Sequence, residues 1–385
     1  MDRRNFVKAS CIGSASLLMG LDPISRAEVV PREAPAIELQ GIPNYKPSPL
    51  GMPGSFPGRV IEVREPNAIA SNRVSQPIVR RMLEQAMKEL TGETSSREAW
   101  GKFIDPKDMV GIKINPSGAP ACCSSPEIVR EIINSVQALG VPPRNIVVYD
   151  RYSYEIDIAS YQTLLPPGVR ILGIQEAFAS GGGYEPSVYC DANFFGEWET
   201  RSYMASVVAH EVTKIINVPT MKDHSASGVT GCLKNLAYGT FNNVARSHRA
   251  PYSFTNPLIG LMCTVEPLRS KSVLHIMDGM RQVWHGGPLT QVQQFIDQPG
   301  ILLMATDPVA LDTIELEAIE KKRSERGAPS LWHHDPNSIT GDSNAFYHDA
   351  SKNLFFRQPG HIAEAAKLGL GVADVKQIDH RLLSV

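Results

Sequence analysis

Several common signatures are missing from this chain of 385 residues. Its six cysteines form no CxxC pair, which argues against a structural zinc site or an iron–sulfur cluster. The formal net charge is −2 and the basic residues are dispersed, so no nucleic-acid partner is expected. No segment after the N-terminal region approaches about 18 uninterrupted apolar residues, and we expect no stable membrane insertion of the mature chain. The GxxxxGK[ST] pattern of a phosphate-binding loop is also absent.

The N-terminal segment resembles a twin-arginine export signal. Arg3 and Arg4 begin the sequence RRNFVK, a weakly apolar stretch follows, and Ser25-Arg26-Ala27 fits a small-x-small cleavage site. We therefore assign residues 1–27 to a signal peptide, with the twin-arginine machinery as partner and a periplasmic or extracytoplasmic location. The alternatives are an ordinary secretory signal and a buried N-terminal helix.

The remaining chain divides by composition into two parts. Residues 28–58 contain seven prolines, which predicts an extended strap or linker with little regular structure. Residues 59–385 are long enough for a large core, or for two lobes at ordinary domain sizes. We expect them to form one α/β domain in two lobes.

The clearest structural unit lies between residues 109 and 150. Residues 109–114 alternate as a strand, Ser125 and Pro126 are typical of a helix start, and apolar residues then recur at helical spacing as far as Leu139. A second strand, residues 145–149, ends at Asp150. A strand–helix–strand unit with this crossover length predicts a parallel pair.

Other segments have the pattern of buried strands or of amphipathic helices. They predict an α/β fold with a parallel or mixed sheet flanked by helices. The predicted strands are residues 59–63, 169–174, 214–218, 272–277 and 301–305, and the predicted helices are residues 77–90, 308–322 and 361–368.

Polar residues follow the ends of five predicted strands. They are Asn115, Asp150, Lys222 to His224, Asp278 and Asp307. Because ligands of open α/β sheets bind beyond the carboxyl ends of strands, we predict that these positions share one cleft. Asp307 has a second interpretation, since it is an ideal N-cap before Pro308.

Residues 218–248 are the richest in candidate site residues. His224, Lys234, Asn235 and His248 lie there among several glycines, which allow the backbone to approach a ligand closely. Imidazoles supply metal ligands and proton transfer, and an amine pairs with anions or attacks electrophiles. The structural alternatives are satisfied or exposed histidines and a helix-capping Asn235.

Lys113 and Asn115 lie in a loop that leads to a predicted helix N-terminus, a natural anion site. We predict that they bind a cofactor together with Lys234 and Asn235; the alternative is a turn with a solvated lysine. Cys122 and Cys123 could form a vicinal disulfide, bind metal or pack, and packing is favoured.

Several of these motifs, in this order, resemble the DUF362 family. They span roughly residues 110–370 and are Val110 to Asn115, INVP from Ile216, KDH at Lys222, GVTG at Gly228, LKN at Leu233, Asp278 with Gly287-Pro288, and DPVALD at Asp307. The resemblance implies kinship rather than a particular activity, because the family is largely uncharacterised.

A weaker resemblance is to nickel-pincer lactate racemases. Those enzymes carry a histidine, a cofactor-tethering lysine ten positions later, and a nickel-ligating histidine further on. Lys234 follows His224 by 234 − 224 = 10 positions, and His248 follows Lys234 by 248 − 234 = 14. The local sequence differs, since Gly231-Cys-Leu-Lys replaces Gly-Gly-x-Lys. The resemblance implies a transition metal or a nickel-pincer-like cofactor.

These observations predict an exported metal- or cofactor-dependent enzyme that acts on a small polar substrate, a hydroxy acid or a sugar. The reaction would be racemisation, epimerisation or hydride transfer. His224, Lys234 and Asp278 are the predicted catalytic residues, and His248 and His224 are the predicted metal ligands. The alternative is a non-catalytic periplasmic ligand-binding or cofactor-delivery protein.

Overall fold

The computed structural model describes residues 36–177, 183–194, 196, 198–249 and 253–385. The predicted signal peptide lies outside these residues. The strands are β1 Ile37–Gln40, β2 Arg59–Arg64, β3 Ile69–Ala70, β4 Arg73–Val74, β5 Val110–Lys113, β6 Ile146–Asp150, β7 Arg170–Gly173, β8 Tyr184–Ala192, β9 Arg201–Ala205, β10 Lys214–Asn217, β11 Thr220–His224, β12 Gly228–Val229, β13 Ser272–Val283, β14 Ile296–Asp297, β15 Ile301–Ala305 and β16 Asp379–Ser384.

Helices connect and cover these strands. The α-helices are α1 Gln76–Thr91, α2 Ser96–Gly101, α3 Pro126–Ala138, α4 Ser153–Ile158, α5 Tyr161–Leu164, α6 Ile174–Ala177, α7 Gly231–Thr240, α8 Thr255–Thr264, α9 Leu268–Lys271, α10 Pro308–Glu325, α11 Ser343–His348 and α12 His361–Lys367, with a π-helical turn at Val207–Glu211.

Eleven strands of the described residues join in one mixed sheet. Its main order is β16-β2-β15-β13-β10-β5-β6-β7; β11 and β14 also pair with β13, and β12 pairs with β11. Along this path β15 runs antiparallel to both of its neighbours, and the other pairs are parallel. The predicted α/β fold with a parallel or mixed sheet is therefore confirmed, and the division into two lobes stays a prediction.

Hydrophobic side chains alternate between the two faces of this sheet. Ile112 and Ile216 face a core that includes apolar side chains of α1, α2 and α3. Ile215 and Tyr149 face the opposite core, to which α7, α8 and α10 contribute. This alternation follows from the two-residue period of a strand, and it means that both faces of the central strands are buried.

The first and the last strand of the described residues each pair with a distant part of the chain. In the strap, β1 pairs antiparallel with β8 in a separate three-stranded sheet. The C-terminal β16 pairs in parallel with β2, beyond the last predicted helix. The remaining described part of the strap contains no other strand, as its prolines predict.

Candidate functional site

The first feature of the site is the edge where three neighbouring parallel strands end. Lys113, Asp150 and Asn217 are the last residues of β5, β6 and β10, which lie side by side. Helix α7 contacts this edge through Asn235. Strand-end polar residues therefore meet one helix face, as expected for the carboxyl edge of an α/β sheet.

The hydrogen bonds of Lys113 use all three donors of its ammonium group. Nζ donates to Oδ1 of Asp150 at 2.8 Å, to the carbonyl of Ile114 at 2.6 Å and to Oδ1 of Asn235 at 3.0 Å. The side chain is fully buried, and burial lowers its pKa while the nearby Asp150 opposes that shift. Full hydrogen bonding is what a buried charge requires.

Gly239 makes room for this lysine. A Cβ atom at position 239 would collide with Cε and Nζ of Lys113 and lie 2.8 Å from Asp150 Oδ1. Glycine inside a helix ordinarily costs about 1 kcal/mol relative to alanine. Its presence in α7 is explained by the buried lysine that passes beside it.

A chain of side-chain amides extends from Lys113 to Lys222. Asn235 Oδ1 also accepts from Asn115 Nδ2 at 3.0 Å, and Asn115 Oδ1 accepts from Lys222 Nζ at 2.6 Å. Asn235 Nδ2 donates to Asn217 Oδ1 at 2.7 Å. We call these six residues the lysine network: Lys113, Asn115, Asp150, Asn217, Lys222 and Asn235.

Lys222 carries a second buried positive charge in this network. Its Nζ also donates to the carbonyl of Ser117 at 2.5 Å, and the side chain is fully buried. Burial lowers its pKa. No carboxylate of the described residues lies within ion-pair distance of this ammonium, so the edge carries an excess of positive charge.

Lys234 lies one position before Asn235 but is bound quite differently. Within the described residues its ammonium forms no hydrogen bond or ion pair; Nζ lies 4.8 Å from the centroid of the Tyr238 ring. Burial, together with the charges of Lys222 and Lys113, lowers its pKa to about 7. The residue retains partial exposure to solvent, and at pH 7 an amine with this pKa is about half protonated.

Two histidines lie beyond Tyr238. The ring centroids of Tyr238 and His248 are 5.2 Å apart, and those of His248 and His224 are also 5.2 Å apart. Burial and the charge of Lys234 lower the pKa of both imidazoles, that of His248 to about 3. Both are therefore neutral at pH 7. We call Lys234, Tyr238, His224 and His248 the open site.

The neutral histidines present complementary atoms. His224 Nδ1 accepts from the backbone N–H groups of Ala226 and Ser227 at 3.0 and 3.3 Å, so its proton is on Nε2. His248 Nδ1 lies 3.2 Å from the carbonyl of Val244, which can only accept, so its Nε2 carries a lone pair. One ring offers a donor and the other an acceptor or metal ligand.

Of the predicted acids, Asp278 and Asp307 contact backbone. Asp278 accepts from the N–H groups of Ser125 and Met280 at 2.5 and 2.8 Å. Asp307 accepts from Ala310 at the start of α10 and from Gly58 and Val372. These bonds hold α3, α10 and the strap in place. They also satisfy both buried carboxylates, so neither carboxylate needs a bound ligand to explain its position.

The predicted metal ligands form a pair rather than a cage. No group of three or more His, Cys, Asp or Glu side chains suited to a metal ion occurs within the described part of the chain. A metal at His248 would therefore take its other ligands from a cofactor or substrate. Cys122 and Cys123 are free thiols, and burial raises the pKa of each to about 12.

Sequence reasoning missed three residues beside the site. Glu155 on α4 has a pKa raised to about 7 by burial and by the charge of Asp150. Tyr238 bridges Lys234 and His248, and Asn217 connects Asn235 to His275. Asn217 could have been found by its position at a strand end, whereas Glu155 and Tyr238 have no sequence signal.

This fold and these side chains define an α/β protein with a lysine–histidine site at the carboxyl edge of parallel strands. A family model described as a domain of unknown function, DUF362, matches residues 110–317, more than half of the chain. The chain therefore belongs to the DUF362 family. No curated protein was found to match it. Within the described residues, no helix has both the length and the apolar character needed to cross a membrane.

Proposed function

We propose that this protein is an exported enzyme that binds a small carboxylate-bearing substrate, such as a hydroxy acid or a sugar acid, and isomerises it by moving a proton. The observation that carries the proposal is Lys234, a partly exposed residue whose amine has a pKa of about 7 and no hydrogen bond within the described residues. A general base is most effective when its pKa lies near the working pH.

The charges around Lys234 favour an anionic ligand. Lys113 and Lys222 lower the pKa of Lys234 by their positive charges, while Asp150 is the acid that opposes them. A substrate carboxylate in the open site would interact favourably with this excess of positive charge. A neutral sugar would gain less from it, and this difference is why we favour a carboxylate.

The histidines would then position the reacting centre. His224 Nε2–H would donate to a substrate oxygen, and His248 Nε2 would accept a hydrogen bond from the substrate. Lys234 would remove or return the proton on carbon. Racemisation or epimerisation by a single base requires that the proton return to the opposite face of the carbon.

The same residues fit a nickel-pincer-like cofactor. The unbonded amine of Lys234 would tether it, and the free lone pair of His248 would ligate its metal. Such a group would supply hydride acceptance when bound. His224 would retain its role as a donor to the substrate oxygen in either case.

The decisive experiment is proton exchange in D2O, followed by NMR over a panel of 2-hydroxy acids and sugar acids. We expect loss of the α-proton signal with the wild-type protein and a decrease in rate of about 10²- to 10⁴-fold in Lys234→Met. The exposed Lys321→Met is the matched control and should behave as wild type. Inversion without exchange would indicate hydride transfer instead.

Elemental analysis and intact-mass measurement on protein from its native host distinguish the mechanism without a cofactor from the one with a nickel-pincer-like cofactor. A covalent adduct that is lost in Lys234→Met, with metal that is lost in His248→Ala, would support the cofactor version. Saturable binding of a panel acid without exchange, inversion or oxidation would support a non-catalytic binding protein and overturn the enzyme proposal.

Export is a separate part of the proposal, and it rests on Arg3 and Arg4. Changing both to lysine should retain the precursor in the cytoplasm, as immunoblots of cell fractions would show. Normal appearance of the mature protein outside the inner membrane would remove the twin-arginine assignment and leave the site unaffected.

A further inference from the structure

A second buried charged cluster lies behind the open site. Along β11 the side chain of Asp223 points away from Lys222 and His224, toward two arginines. Its Oδ2 atom lies 3.6 Å from Arg323 Nη1 and 3.7 Å from Arg357 Nη2, and all three side chains are almost completely buried. Asp223 Oδ1 accepts from the N–H of Gly287 at 2.8 Å.

Arg323 is anchored by its surroundings. Nε donates to the carbonyl of Pro329 at 2.8 Å, and Nη1 donates to the carbonyl of Trp284 at 2.9 Å and to His285 Nδ1 at 3.2 Å. Nη2 has no hydrogen-bond partner within the described residues. The guanidinium is thus held in place, and its Nη2 group remains free to donate.

Arg357 has fewer hydrogen-bond partners than Arg323. Its side chain is 1% exposed, yet Nε, Nη1 and Nη2 all lack a hydrogen-bond partner within the part of the chain that the structure describes. Burial and the charge of Arg323 lower its pKa to about 9, so it remains protonated at pH 7. A buried cation without hydrogen bonds is costly, whereas a forked guanidinium is well suited to bind an anion.

Two guanidiniums lie within ion-pair distance of the one carboxylate of Asp223. A second acid, Glu320, acts on both arginines from beyond that distance, and its oxygens accept from Ser330 and the N–H of Leu331. An additional anion beside the two guanidiniums would satisfy their open donors.

We propose that Arg323 and Arg357 bind a small monovalent anion, a halide or formate, inside the fold beside Asp223. The open donors of the two guanidiniums would hold it. Because Arg357 is among the charges that lower the pKa of His224, an anion there would also reduce the positive potential at the open site. This inference does not depend on the proposed reaction.

Thermal unfolding in matched salts tests the site in solution. At constant ionic strength, replacing gluconate by bromide or formate should raise the Tm of the wild type progressively, because the ligand binds only the folded state. Arg357→Met, which leaves Asp223 paired with Arg323 alone, should lose this response. The half-exposed Arg326→Met is the matched control and should keep it. An equal response of the wild type and Arg357→Met would overturn the proposal.

A crystal of the wild-type protein grown in sodium bromide provides the direct test, and it does not require that the Arg357 variant folds. An anomalous peak beside the Arg357 guanidinium, replaced by formate in a second crystal, would support the site. An ordered Arg357 with no bromide peak beside it would overturn it.

Discussion

The lysine network and the open site place two neighbouring lysines in opposite situations. Lys113 gives all three of its ammonium protons to oxygen acceptors, and one of these belongs to Asp150. Lys234 lies on the helix that crosses the same strand ends, and among the described residues its ammonium contacts only the face of the Tyr238 ring. The two lysines share one neighbourhood but differ in their hydrogen-bond partners and in their exposure to solvent.

This difference separates a structural role from a reactive one. A buried charge with its full set of partners stabilises a particular packing, and removing one partner leaves the other unpaired. A buried amine without partners is destabilising in its charged form and loses its proton more easily. Such a group persists where its reactivity is useful, and perturbed pKa values are concentrated at functional sites.

The largest effect on stability is expected at Lys113. Lys113→Met would leave the Asp150 carboxylate unpaired beside the buried oxygen of Asn235, and we expect a loss of about 3–5 kcal/mol in the free energy of unfolding. Urea unfolding measures this loss. Adding Asp150→Asn should recover part of it. If Lys113→Met is no less stable than Lys321→Met, the contrast between the two lysines is lost.

Gly239→Ala tests how closely the side chain of Lys113 packs against α7. Helix propensity alone predicts a gain of about 1 kcal/mol from this change. We expect a loss of about 1–3 kcal/mol instead, because the new methyl group would displace Lys113 from Asp150. Gly101→Ala is the control, since nothing lies within 4 Å of its added Cβ. A stabilised Gly239→Ala would contradict the packing described for Lys113.

A smaller effect is expected from the pH dependence of stability at Lys234. Its folded pKa, about 7, lies below the ordinary 10.5, so between these values the unfolded chain binds a proton that the folded chain does not. Wild-type stability relative to Lys234→Met should therefore rise with pH above about 7, by at most about 1.4 kcal/mol per pH unit. Unfolding curves of both proteins at pH 6, 7.5 and 9 measure this difference in stability. A difference that does not change with pH would mean that the pKa of Lys234 is that of an ordinary lysine.

Much of the fold could be predicted from the sequence because local patterns determine it. The predicted strand at residues 301–305 is observed as Ile301–Ala305, and the helix predicted after Asp307 begins at Pro308 with that carboxylate as its cap. Strand β16 was missed, because its exposed, charged residues resemble a surface segment. The antiparallel β15 could not be distinguished from its parallel neighbours, because both kinds of buried strand have the same apolar pattern.

The site was predictable in its residues but not in its connections. Lys113 and Asn235 contact each other although 122 positions separate them in the chain. No spacing rule shows which of the three lysines would be paired. Helix α7 was not predicted, since its two glycines and polar residues mask the helical period, and without that helix the contrast between Lys234 and Asn235 cannot be seen.

The most direct test is the pKa of Lys234, measured by NMR after reductive methylation with ¹³C-formaldehyde. Its resonance would be assigned as the one missing from Lys234→Met, and its chemical shift would be followed from pH 5.5 to 11. We predict a midpoint near pH 7. A midpoint near the ordinary 10.5 would contradict the claim that Lys234 is the reactive amine of this site.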